Sequence, residues 1–108
     1  MTINEYQEKA IETAVYGVGN RIIYPTLGLS GESGEVADKV KKVLRDNNGE
    51  FTQGKKLEII KEAGDCLWYL AALANDLGYT LEEMAQMNLD KLASRKERDM
   101  ISGSGDER

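Results

Sequence analysis

No histidine occurs anywhere in the chain, and that absence removes whole classes of chemistry. A Ser-His-Asp or Cys-His pair cannot form within it, nor a histidine-based zinc site, nor the Glu-x-x-His di-iron site of a helical bundle. Cysteine occurs once, which excludes an internal disulfide, and the place of Cys66 in an apolar run marks a buried structural thiol rather than a nucleophile. The single proline, Pro25, marks the start of a helix. No apolar run approaches the roughly 18 residues of a membrane span, and no basic-then-apolar leader pattern opens the chain, so the cytoplasm is the expected compartment. Basic residues are in deficit, 14 against 19 acidic. The resulting net charge of −5 argues against a nucleic-acid polymer or an anionic membrane as the main partner.

At 108 residues the chain fits one domain, with a core small enough that oligomerisation would help stabilise it. Its most informative content is two tetrapeptides of one design, Glu32-Ser33-Gly34-Glu35 and Glu62-Ala63-Gly64-Asp65, both in helical patterns. Residues three apart on a helix are neighbours, roughly 5 to 6 Å between Cβ atoms, so each tetrapeptide presents a paired acid. Nineteen acids in a chain this short produce such pairs by chance, so spacing alone leaves a solvated acidic face open. The setting separates the two readings. Asp65 is the only charged residue between Ala63 and Ala74, which predicts partial burial of a carboxylate that then needs a hydrogen bond, a partner or a metal. Four residues after Glu32, Glu62 and Asp65 stand Val36, Cys66 and Tyr69 rather than a base; only Glu35 has one, Lys39, while Glu58 and Glu62 repel at that spacing. A helix-interior glycine costs about 1 kcal/mol relative to alanine. Gly34 and Gly64 therefore suggest either close helix approach or room for a phosphate. Oxygen ligands alone suit Mg²⁺, Mn²⁺ or Ca²⁺.

Helical periodicity recurs four times, and no run of β alternation competes, so the expected fold is an all-α bundle of four main helices that completes its core by oligomerisation. Thr2 with Glu5 forms a capping box opening a first helix to about Tyr16. A second runs from about Thr26 to Arg45, with Leu29, Val36, Val40, Val43 and Leu44 as core positions. The loop from Asp46 to Gly54 tempts an EF-hand reading, but Phe51 stands where glycine is required and Leu57 where the bidentate glutamate belongs. The third helix, about Lys55 to Leu77, is the most apolar and should be central, with Leu57, Ile60, Leu67, Trp68, Ala71, Ala74 and Leu77 recurring. Thr80 with Glu83 opens a fourth, to about Glu97. A domain of residues 1–100 followed by a flexible tail of residues 101–108 is the expected division.

Carboxylates clustered on Mg²⁺ most often serve phosphate chemistry, and a polyanionic substrate needs basic and amide groups opposite them. Lys39, Lys42, Asn88, Lys91 and Arg95 are the candidates. Glu32-x-x-Glu35, twenty-six intervening residues, then Glu62-x-x-Asp65 resembles the signature of the MazG-like nucleoside triphosphate pyrophosphohydrolases of the all-α NTP pyrophosphatase superfamily. Leu27 to Gly31, Val36 to Arg45, Leu67 to Leu70 and Asn88-Leu89-Asp90-Lys91-Leu92-x-x-Arg95 are similar to that family's flanking blocks, so the resemblance covers nearly the whole chain.

The resemblance implies Mg²⁺-dependent hydrolysis of a (deoxy)nucleoside triphosphate to the monophosphate and pyrophosphate. It makes Glu32, Glu35, Glu62 and Asp65 the metal ligands and catalytic residues, and Asn88, Lys91 and Arg95 phosphate contacts. It further implies a homodimer or a dimer of dimers, a base pocket between helices with Gln7 and Tyr16 as candidates, and a tail that closes over substrate. Ser33 stands where some relatives carry another acid, which leaves the number of metal ions open, and the general base is unassigned. Two other readings stand beside this one: a non-catalytic helical assembly or partner-binding module, and a pyrophosphohydrolase for another metabolite such as phosphoribosyl-ATP.

Overall fold

Three of the four helices start on a threonine whose hydroxyl accepts a backbone N–H from the residue three further on. Thr2 receives Glu5 at 3.1 Å, Thr52 receives Lys55 at 3.3 Å and Thr80 receives Glu83 at 3.0 Å. Glu5 and Glu83 return the bond to the cap N–H, completing both expected capping boxes. The computed structural model describes residues 1–108 and is all-helical: α1 Ile3–Ile11, α2 Ile23–Asp46, α3 Gln53–Asp76 and α4 Leu81–Glu97, with a 3-10 turn at Val18–Asn20 and no strand. No helix is long and apolar enough to cross a membrane.

α1 ends at Ile11, not near Tyr16 as its apolar stripe suggested. Trp68 reaches over from α3, its indole N–H donating to the Ala10 carbonyl at 3.2 Å and to the Thr13 hydroxyl at 2.9 Å. The bonds of Glu12, Thr13 and Ala14 to residues three back then tighten the last turn and close the helix. α2 starts three residues before the expected Thr26, because Pro25 lies in its first turn, where the missing N–H costs nothing. Its cap residue, Ile22, adopts a left-handed φ of 69°, which a β-branched side chain rarely does. Asp76 holds it there by accepting the Ile22 N–H at 2.9 Å.

α3 packs against α1, α2 and α4, as its apolar content predicted. The core is small, with Ala10, Ala71, Ala74 and Leu81 at its centre and Tyr6, Leu67, Trp68, Leu70 and Met84 around them. Gln7 ties α1 to the α3–α4 turn: its amide donates to the Ala71 and Tyr79 carbonyls and accepts the Leu81 N–H at 3.0 Å. Of the expected core positions, Val43 is fully buried, but Leu44 is 65% exposed, Leu57 53% and Ile60 63%. These three lie on the α2–α3 hairpin, which α1 and α4 cover only in part.

Candidate functional site

α2 and α3 form an antiparallel hairpin in which Gly28 lies against Tyr69 and the Ser33 hydroxyl lies 4.0 Å from the Cys66 sulfur. That register sets Glu32 opposite Glu62 and Asp65, and one carboxylate oxygen from each falls within 4.8 Å of the others. Glu32 and Glu62 are half-buried and Asp65 is exposed, so the partial burial expected for Asp65 belongs to its two neighbours instead. Burial, and then the charges of Asp65, Glu62 and Glu35, push the Glu32 carboxyl above its ordinary value, with a hydrogen bond to Glu62 in the same direction. Partial desolvation and mutual repulsion are what a divalent cation relieves, and three neighbouring carboxylate oxygens are a donor set of the kind that suits Mg²⁺ or Mn²⁺. Glu35 stands one turn beyond the trio, exposed, and adds its charge at Glu32 rather than an oxygen to the cluster.

A methyl group built at Gly34 or Gly64 would meet open space. Of the two explanations for these glycines, close helix approach belongs instead to Gly28, where the Tyr69 ring occupies the volume a Cβ would need. Tyr69 stands edge-on to Trp68, with ring centres 5.0 Å apart, and tilted against Tyr24 at 6.3 Å. Burial first, then Tyr24 and the charges of Glu32 and Asp65, raise its hydroxyl above the ordinary tyrosine value. Burial and Asp65 raise Tyr6 likewise. Tyr69 and Tyr6 thus stand near the acids, with Tyr24 against Tyr69. Their signal was present in the sequence: once Glu32 is paired with Asp65 across a hairpin, the residues four before and four after, Gly28 and Tyr69, must meet.

The remaining candidates fall elsewhere. Lys42 donates to Asp38 at 2.8 Å and Lys39 is half-buried along α2. Asn88 and Lys91 line a cleft of about 460 Å³ between α3 and α4, with Ala74, Leu77, Tyr79, Met84 and Met87 as its other lining residues. Arg95 is 6% exposed, and Lys91 and Arg95 both contact Asp106. Gln7 has its amide committed to the fold, and the Tyr16 hydroxyl donates to Asp76 at 2.8 Å, so both serve the scaffold. The Ser33 hydroxyl bonds back to the Leu29 carbonyl at 2.8 Å.

A helical hairpin carrying convergent carboxylates, with a separate basic pair on a later helix, defines a helical domain with a cluster of three acids. The model of the MazG nucleotide pyrophosphohydrolase domain matches residues 25–99, and the chain belongs to that family. It is 47% identical over 114 residues to the Gene 37 protein of Mycobacterium phage L5, the alignment covering all of both chains. No solved structure matches.

Proposed function

We infer that the chain hydrolyses a (deoxy)nucleoside triphosphate between the α and β phosphorus atoms, consuming one water and yielding the monophosphate and pyrophosphate. The observation that carries this reading is the convergence of Glu32, Glu62 and Asp65 within a MazG nucleotide pyrophosphohydrolase domain. These three residues would hold Mg²⁺, with Glu35 one turn away as a further ligand. When bound, such an ion supplies charge neutralisation on the phosphates and a lowered pKa for water. The chain's own groups position the substrate. Lys91 and Arg95 offer fixed positive charge to the phosphates, and Asn88 an amide at the rim of the apolar cleft. Gly34 and Gly64 keep side chains out of the space beside the acids. The aliphatic groups and Tyr79 around the cleft suit a nucleobase.

The purified protein incubated with each (d)NTP and Mg²⁺ is expected to release pyrophosphate, not orthophosphate. Glu62→Gln keeps the shape of the side chain and removes its charge, so turnover should fall below about one tenth of wild type. Its helical circular dichroism should be unchanged. Release of orthophosphate alone would reject the reaction, and no release of either would favour a non-catalytic helical module. A panel containing other pyrophosphate-bearing metabolites, phosphoribosyl-ATP among them, assigns the substrate.

A further inference from the structure

Residues 99–108 fold back on α4. Asp99, with φ 58°, reverses the chain after the helix, and Gly103 and Gly105 take φ of 115° and 86°. The Arg108 guanidinium closes the loop by donating to the carbonyls of Met100, Ile101 and Gly105 at 3.1, 2.9 and 2.6 Å. This clasp presents Asp106 to the basic pair. Lys91 Nζ lies 3.2 Å from Asp106 Oδ1, and Arg95 Nη2 donates to the Asp106 backbone carbonyl at 2.9 Å with Oδ1 at 3.4 Å.

Two features show that Asp106 fills this seat incompletely. Arg95 is 94% enclosed by the fold, whereas the Asp106 side chain is 79% exposed, so the cationic half is built in and the anionic half is the removable one. Arg95 Nε is also buried without any hydrogen-bond partner. Nε and Nη2 form one edge of the guanidinium, the fork that grips two oxygens of a phosphate or carboxylate side by side. Both Asp106 oxygens meet the fork at Nη2, and its Nε half is unused. A phosphate would satisfy both donors and Lys91 together.

We propose that Asp106 is a built-in competitor for the anion seat of Lys91 and Arg95, displaced when a phosphate group of the substrate enters. The proposal rests on the reading of these two residues as phosphate contacts. It makes the apparent affinity for phosphate the intrinsic affinity reduced by the fraction of molecules whose seat is free.

The test is calorimetric titration of the full chain with inorganic pyrophosphate in metal-free buffer, which isolates the basic seat from the acidic one. Asp106→Ala should bind about threefold tighter than wild type, the size of an exposed ion-pair contribution. Lys91→Ala should bind about tenfold weaker, as for a lost hydrogen bond between charged groups. If Asp106→Ala binds no tighter while Lys91→Ala is weakened, the competitor role is overturned and the phosphate seat stands. If Lys91→Ala binds like wild type, the seat itself is rejected and the proposal with it. Amide hydrogen exchange of residues 100–108 gives a second readout. Faster exchange at saturating pyrophosphate is expected, whereas unchanged or slower exchange, the mark of a segment that stays put or closes on the anion, overturns the proposal.

Discussion

Asp76, the last residue of α3, is where the segment between α1 and α2 is tied down. Its Oδ2 accepts both the Tyr16 hydroxyl and the Ile22 N–H, so one carboxylate anchors two points of an otherwise irregular stretch. Burial, the hydrogen bond to Asp76 and the charge of Asp76 raise the Tyr16 hydroxyl from 10.0 to about 12. The neutral phenol is the bound form, so its contribution to stability is fully present below pH 10. It is lost as pH rises through about 12, because the unfolded chain releases that proton first. Tyr16→Phe should therefore abolish the component of pH-dependent stability between these values, as followed by urea unfolding at stepped pH. A tyrosinate absorbance titration should lose its latest-titrating hydroxyl among the five tyrosines. If the late hydroxyl persists in the variant, the assignment to Tyr16 is wrong.

At the scale of elements, stability depends on how α1 meets the start of α4. The first N–H groups of a helix lack intrahelical partners. Gln7 takes the Leu81 N–H and Asn4 the Glu82 N–H at 3.1 Å, so α1 completes what the Thr80–Glu83 capping box begins. The two contacts differ in burial. Gln7→Leu leaves the buried Leu81 N–H and the Tyr79 carbonyl unpaired, at a cost of about 2 kcal/mol; Asn4→Ala exposes its partner to water and should cost less than about 1 kcal/mol. Equilibrium urea unfolding of both variants checks the ordering, and equal losses would mean that burial is not what sets it. The two capping boxes, the central helix and the start of α4 were legible from residues alone, because each is written in local chemistry or period. The end of α1 was not, since it depends on Trp68, a residue more than fifty positions away whose indole takes the Ala10 carbonyl. Glu32, Glu35, Glu62 and Asp65 were legible as one group of candidate acids from their spacing together with the scarcity of bases four residues on. That Glu35 falls outside the trio was not, because it depends on which faces of α2 and α3 meet. The contact of Asp106 with Lys91 and Arg95 was not legible either, because nothing local in a Gly-Ser-Gly-Asp stretch points to a lysine and an arginine on the preceding helix.

For the whole molecule, surface area is the telling quantity. A 12.0 kDa chain exposes 7767 Å², against about 6,000 Å² for a self-contained globular protein of that mass. Its radius of gyration is 16.7 Å, against about 13 Å expected. The excess, about 1,800 Å², exceeds what one chain contributes to a standard protein interface. Leu27, Leu44, Leu57 and Ile60 supply apolar surface for such a contact on the hairpin that carries the acids. Sedimentation equilibrium at micromolar concentration should accordingly give the mass of two or four chains, and a single-chain mass would mean that this surface serves another partner. Gly28 carries a last consequence, for engineering. Exchanging helix-interior glycine for alanine is a routine thermostabilising step worth about 1 kcal/mol. At Gly31 the new methyl enters open space, while at Gly28 it collides with Tyr69, which leans on Trp68 and Tyr24. Heat resistance and the aromatic group near the acid cluster are thereby coupled through one missing carbon, and a hardened variant has to be built around position 28.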